Sequence, residues 1–244
     1  MKTAEHITSL VQDGRALAIA ARTAGPEAPV PTCPEWQVRD VLRHTGAVHR
    51  WATAFLMERH TAFRPLVQEQ ALDGDDLLVW FLEGHEALVD ALVTADQEVE
   101  CWAFLPAPSP LAFWARRQAH ETAIHRVDAE SALGGAPGPV AAEFAADGVD
   151  ELLTGFHARA RSRVRSDAPL RLRARTTDTD DVWTMQISTD VPSTVRNAQG
   201  PADCELIGTA QQLYLALWNR LPLSTLTLKG DPEVALLWRR TSAV

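Results

Sequence analysis

Lysine is almost missing from this chain of 244 residues: only Lys2 and Lys229 occur, against a large complement of arginine. Together with the alanine and proline content, that bias fits a GC-rich genome. Cysteine is also scarce, with Cys33, Cys101 and Cys204 odd in number and far apart. No CxxC or knuckle spacing is present, so neither a structural zinc site nor a disulfide framework is expected. Long apolar runs are absent, and no stretch approaches the roughly 20 residues that span a bilayer. Met1 to Leu10 lacks the continuous apolar centre of a signal peptide. The expectation is therefore a cytoplasmic protein with no membrane partner. Phosphate-cradling and nucleophile motifs are missing as well: there is no GxGxxG, GxxxxGK[ST], HExxH or GxSxG. Positive charge is lacking overall, since the formal net charge is −9. Nucleic acid is accordingly not expected as a partner, because phosphate contacts demand a basic surface. One local exception, Arg159, Arg161, Arg163, Arg165, Arg171, Arg173 and Arg175, reads as a solvated helix end followed by a strand with arginine on its wet face.

What is present is a hydrophobic share of 46%, enough for a core or for two modest ones. Residues 1–135 read as helices. Thr3 to Arg22 repeats apolar residues at helical spacing. A Pro-rich linker from Gly25 to Pro34 follows. The next helix is expected to open at Thr32-Cys33-Pro34-Glu35-Trp36, with Thr32 as cap, Pro34 in the first turn and Glu35 completing a capping box. It then carries Val41, His44, Val48, Trp51 and Phe55 on one stripe, with His49 off it. A third helix is expected over Asp75 to Ala95. A fourth follows the break Pro106 to Pro110 and ends before Gly134-Gly135. These describe an antiparallel four-helix bundle. Beyond a linker at Gly135 to Pro139 the texture changes. Asp147 to Val164 reads as helix; Leu170–Thr176, Val182–Thr189, Cys204–Ile207 and Ser224–Lys229 as strands; Thr209–Leu221 and Pro232–Trp238 as helices. Residues 140–244 are thus expected to form a small α/β domain with a mostly antiparallel sheet, and the whole chain an α+β two-domain protein.

The candidate site lies in His120-Glu121-Thr122-Ala123-Ile124-His125. On a helix, Glu121 and His125 stand one turn apart on the same face. A carboxylate and an imidazole so placed form half of a metal site, and His44 on the second helix's apolar stripe offers a third ligand. Two histidines and one carboxylate leave coordination positions open, as in a working rather than a structural site. The same set also matches non-haem iron. Asp128, three residues past His125, could orient the imidazole from behind. Two plainer readings stand beside this one: His44 as a core histidine, and Glu121 as part of a surface ion-pair network with Arg117 and Asp128 nearby. Cys33, ahead of Pro34 at the expected helix start, reads as a structural cysteine.

Three stretches carry a resemblance. Pro31-Thr32-Cys33-Pro34-Glu35-Trp36 with Val38-Arg39-Asp40-Val41-Leu42-Arg43-His44 is the first, and Arg117 to Glu130 the second. Gly208 to Gly230, containing Leu217-Trp218-Asn219-Arg220-Leu221, is the third. Together they resemble the mycothiol-dependent maleylpyruvate isomerase family across nearly the whole chain. The resemblance implies a DinB-like four-helix bundle followed by a small domain of sterol-carrier type. It implies a divalent metal, usually zinc, on His44, Glu121 and His125, mycothiol as co-substrate, and Arg220 as a catalytic residue. The function expected is metal-dependent isomerisation or S-transfer on a small electrophile, the protein being a monomer or homodimer. The alternatives are a metal-dependent hydrolase that uses no thiol and a non-enzymatic small-ligand-binding protein of the same fold.

Overall fold

Two helices of the N-terminal half begin at a residue whose side chain accepts from a free backbone N–H group. Asp73 accepts from Gly74 N at 2.9 Å and Ser109 Oγ from Ala112 N at 3.1 Å, with Pro110 in the first turn behind it. In this computed structural model, which describes residues 1–67 and 72–243, the helices are α1 (Thr3–Ala24), α2 (Val38–Met57), α3 (Gly74–Thr94) and α4 (Pro110–Ser131). They lie in the first of two compact units, Met1–Gly138 and Pro139–Val244. Among the described residues no helix is long and apolar enough to cross a membrane.

The pairings give the bundle its directions. His44 meets Glu121, and seven residues later Trp51 meets Trp114 seven residues earlier, so α2 and α4 run antiparallel. His6 meets His120 while Asp13 meets Arg126, so α1 and α4 run the same way. Leu17, Val38, Val41, Leu77 and Phe81 sit in the core at 0 or 1% exposure. Trp51, Phe55, Trp102 and Trp114 form an aromatic layer with ring centroids 5.1–6.4 Å apart. Helices α2 and α3 approach closely at Gly46, where a Cβ would collide with the indole of Trp80.

The expected start of α2 needs correction. Residues Val30 to Trp36 form a closed turn, in which Cys33 N donates to Val30 O at 2.9 Å and Trp36 N to Cys33 O at 2.8 Å. The helix begins only at Val38, where Asp40 Oδ2 accepts from Gln37 N at 2.9 Å. The capping box is thus Gln37 with Asp40, and the Thr32 hydroxyl is used elsewhere.

The second unit opens with α5 (Ala142–Asp150), which widens into a π-helical turn over Glu151–Phe156. The helix expected to reach Val164 therefore stops eight residues earlier, and the segment from Arg159 lies outside it. Strands β1 (Leu170–Thr176), β2 (Val182–Ile187), β3 (Ser193–Arg196), β4 (Cys204–Gly208) and β5 (Thr227–Gly230) form one sheet in the order β3-β2-β1-β4-β5. Only β1 with β4 is parallel; the other three pairings are antiparallel. Strand β3 had no expectation, because Ser193–Arg196 is a short, largely exposed edge without apolar alternation. Arg173 is not on a wet face: it is buried and donates to Thr184 Oγ1 at 3.1 Å and Gly200 O at 2.8 Å. Helix α6 (Ala210–Leu217) ends where Asn219 takes a positive φ of 63°, and α7 (Pro232–Thr241) closes the chain with Trp238 fully buried.

Candidate metal centre

Helix α4 buries polar residues on nearly every side: Arg117, Gln118, His120, Thr122, His125, Arg126 and Asp128 are all below a tenth exposed. Such groups are expensive to desolvate unless each is matched, and part of the matching forms a site. His44 Nε2, from α2, lies 3.0 Å from Glu121 Oε1. His125 Nε2, one turn along α4, lies 3.2 Å from the same oxygen. The other oxygen, Oε2, is 3.3 Å from Arg117 Nη2. On its far side the His125 ring offers Nδ1 to Asp128 Oδ2 at 2.9 Å, and Asp128 Oδ1 accepts from the Thr32 hydroxyl at 2.7 Å. The indole of Trp36 lies nearly parallel to the His125 ring, with 14° between planes and 5.7 Å between centroids, and 5.2 Å from the His44 centroid.

Charge is distributed accordingly. Burial opposes ionisation of Glu121, but hydrogen bonds from His125 and His44, with the positive charges of His125 and Arg117, hold its carboxyl well below the usual carboxylate range. Burial likewise opposes a proton on His125. Hydrogen bonds to Asp128 and Glu121, and their negative charge, outweigh that and push it up to about 9. Asp128 is fully buried, whereas the His44 and Glu121 side chains remain 23% and 21% exposed, so the cluster has one open edge.

The donor set fits a divalent ion. His44, Glu121 and His125 each offer one ligand atom, and the three atoms lie within 4.8 Å of one another. Ligand bonds of about 2.0–2.2 Å put neighbouring donors roughly 3–3.5 Å apart, close to the separations from Glu121 Oε1 to the two imidazoles. Because Arg117 engages Oε2, the carboxylate presents one oxygen toward the imidazoles.

Three other histidines have their contacts outside this cluster. His49 is the opposite of an off-stripe residue: it is fully buried, with Nε2 2.9 Å from Thr122 Oγ1 and its ring against Phe81 and His85. Burial first, then the charge of His85, hold its pKa well below the usual value. His120 turns to the edge of the His6 ring. His60 pairs with Glu58 at 2.9 Å. Arg220 belongs to the second unit, just past Asn219, and its Nη1 donates to Trp218 O at 2.9 Å. Cys33 sits half-buried in the Val30–Trp36 turn rather than at a helix start. Sequence reasoning gave Thr32 a capping role and Trp36 none. The signal that could have found both is the density of turn formers around Pro31-Thr32-Cys33-Pro34, which argues against a helix there.

Residues 7–130 match the family model described as the mycothiol maleylpyruvate isomerase N-terminal domain, and residues 143–237 match that of the family's C-terminal domain. The chain belongs to the mycothiol maleylpyruvate isomerase family. Two solved structures share the fold of this family member. One is a histidine-to-alanine mutant of the mycothiol-dependent maleylpyruvate isomerase, with TM-score 0.66, 12% identity and 95% of each chain covered. The other is that isomerase without the substitution, with TM-score 0.64, 12% identity and the same coverage. A search of curated proteins returns no match.

Proposed function

We propose that the chain is a metal-dependent enzyme that uses the low-molecular-weight thiol mycothiol to isomerise a small electrophilic substrate or joins the thiol to that substrate through its sulfur. The observation that carries this reading is the convergence of His44 Nε2, Glu121 Oε1 and His125 Nε2, in a chain whose family is named for mycothiol and maleylpyruvate isomerisation. His44, Glu121 and His125 would hold the ion, and two imidazoles with one carboxylate suit zinc. When bound, the ion stabilises a thiolate near neutral pH.

This chain's own residues supply the geometry. Arg117 fixes the second carboxylate oxygen of Glu121, and Asp128 fixes Nδ1 of His125. Trp36 walls one flank of the two imidazoles. The thiolate adds to an activated carbon–carbon double bond and leaves a single bond free to rotate. Elimination of the thiolate then gives the trans isomer. With a halide the carbon–sulfur bond forms as halide departs, and with an epoxide as a ring C–O bond opens to an alkoxide that takes a proton, so the thioether is the product. Arg220 is assigned the substrate carboxylate, which its planar fork suits; that role rests on the family resemblance.

The test is turnover of maleylpyruvate and of a panel of halides and epoxides, with and without mycothiol. Mycothiol-dependent turnover that His125→Ala abolishes is the expected result. Arg220→Ala is expected to raise KM while leaving metal content intact. Turnover indifferent to both mycothiol and His125 would overturn the proposal.

A further inference from the structure

The turn from Val30 to Trp36 is more than a connection between α1 and α2. Its base is anchored: Val30 is 1% exposed in the core, its N–H donates to Trp36 O at 3.0 Å, and Val38 N donates to Ala28 O at 3.0 Å. Two of its side chains reach the cluster on α4. The Thr32 hydroxyl is 2.7 Å from Asp128 Oδ1 and 3.1 Å from Ser131 Oγ, and Ser131 Oγ in turn donates to Asp128 O at 2.7 Å. Trp36 lies against both imidazoles.

We propose that this turn is a strap whose Thr32 and Trp36 are positioning residues for the metal-binding face of His125. Thr32 acts through Asp128. With Oδ1 held by the hydroxyl, Oδ2 is aimed at Nδ1 of His125, which fixes the ring so that Nε2 points at the place shared with Glu121 and His44. Trp36 acts on the ring plane, since an indole lying parallel to the imidazole resists rotation about the bond that Asp128 alone cannot fix. The two controls are independent, one polar and one apolar, and the polar one comes from 96 residues away in sequence. The inference rests on the reading of His44, Glu121 and His125 as metal ligands.

Cobalt(II) is the probe, because its visible absorption reports ligand geometry as well as occupancy. Thr32→Val, which keeps the shape and removes the hydroxyl, is expected to raise the cobalt Kd by about 10- to 100-fold and to shift the visible bands. Thr32→Ser is expected to restore both. Trp36→Leu, a second and independent variant, is expected to raise Kd by roughly 2- to 10-fold. The unfolding midpoint of each metal-free variant separates a loss of fold from a loss of positioning. Wild-type affinity and an unshifted spectrum in folded Thr32→Val and Trp36→Leu would overturn the strap alone. A wild-type protein that takes up no cobalt would overturn the metal reading beneath it.

Discussion

Arg117 Nη2 lies 3.3 Å from Glu121 Oε2 while both imidazoles face Oε1, so the carboxylate is divided between a fixed cation and a pair of metal-type donors. Arg117 is only 3% exposed, and its charge is therefore little screened. Replacing it with methionine, which retains much of the volume, frees Oε2 and lets the carboxylate turn. Zinc affinity in a chelator-competition titration is expected to fall by about tenfold or more, the usual effect of removing a group that orients a ligand.

His49 and His44 lie on the same helix and are expected to behave oppositely. His49 is fully buried and bonded to Thr122, so His49→Gln is expected to cost roughly 1–3 kcal/mol in urea unfolding and leave metal stoichiometry unchanged. His44→Gln is expected to lower metal content with a much smaller change in unfolding free energy of the metal-free protein.

Helix α4 carries Glu121, His125 and Asp128, and its first turn depends on the Ser109 hydroxyl. Ser109→Ala is expected to cost about 1 kcal/mol of stability by chemical denaturation, with metal content preserved because the ligands lie three turns further on.

Acid sensitivity follows from two neutral buried histidines. Burial, reinforced by Arg15 for His85 and by Arg159 for His157, lowers each from 6.5 to about 4. A base with a depressed folded-state pKa contributes stability that is complete above its unfolded value and lost as pH falls through the folded one. Stability is therefore expected to decline from about pH 6.5 toward pH 4, by on the order of 3 kcal/mol for each group. Asp13 runs the other way, because burial raises it from 3.8 to about 6 against the opposing charge of Arg126. Its contribution is present at low pH and is lost as pH rises toward 6. Urea unfolding of His157→Gln from pH 4 to 7.5 checks the larger trend; a flatter profile than wild type is expected.

The residues of the cluster were legible because helical periodicity is a local property. Glu121 and His125 at i and i+4 must share a face, and His44 on an apolar stripe must face a helix bundle. Strands Leu170–Thr176 and Val182–Ile187 were legible through period-two alternation, although the second was expected to run on to Thr189. The Val30–Trp36 turn was misread because Thr-x-x-Glu ahead of an apolar run is a capping signal, and tertiary contacts from Thr32 to Asp128 and Ser131 outweighed it. His49 was set aside by the same stripe that selected His44; the stripe's width, not its direction, was underestimated, since α2 is buried toward α3 as well as α4. The π-helical turn over Glu151–Phe156 has no distinguishing sequence pattern, so the end of that helix could not be placed from residues alone.

The most direct measurement is metal content by mass spectrometry of protein purified without a metal-affinity tag, for wild type, Glu121→Ala and His125→Ala. About one divalent ion per chain in wild type, lost in both variants, is the result expected. A wild-type protein that retains no ion after zinc loading and dialysis, or variants that keep it, would contradict the assignment of His44, Glu121 and His125 as a metal centre.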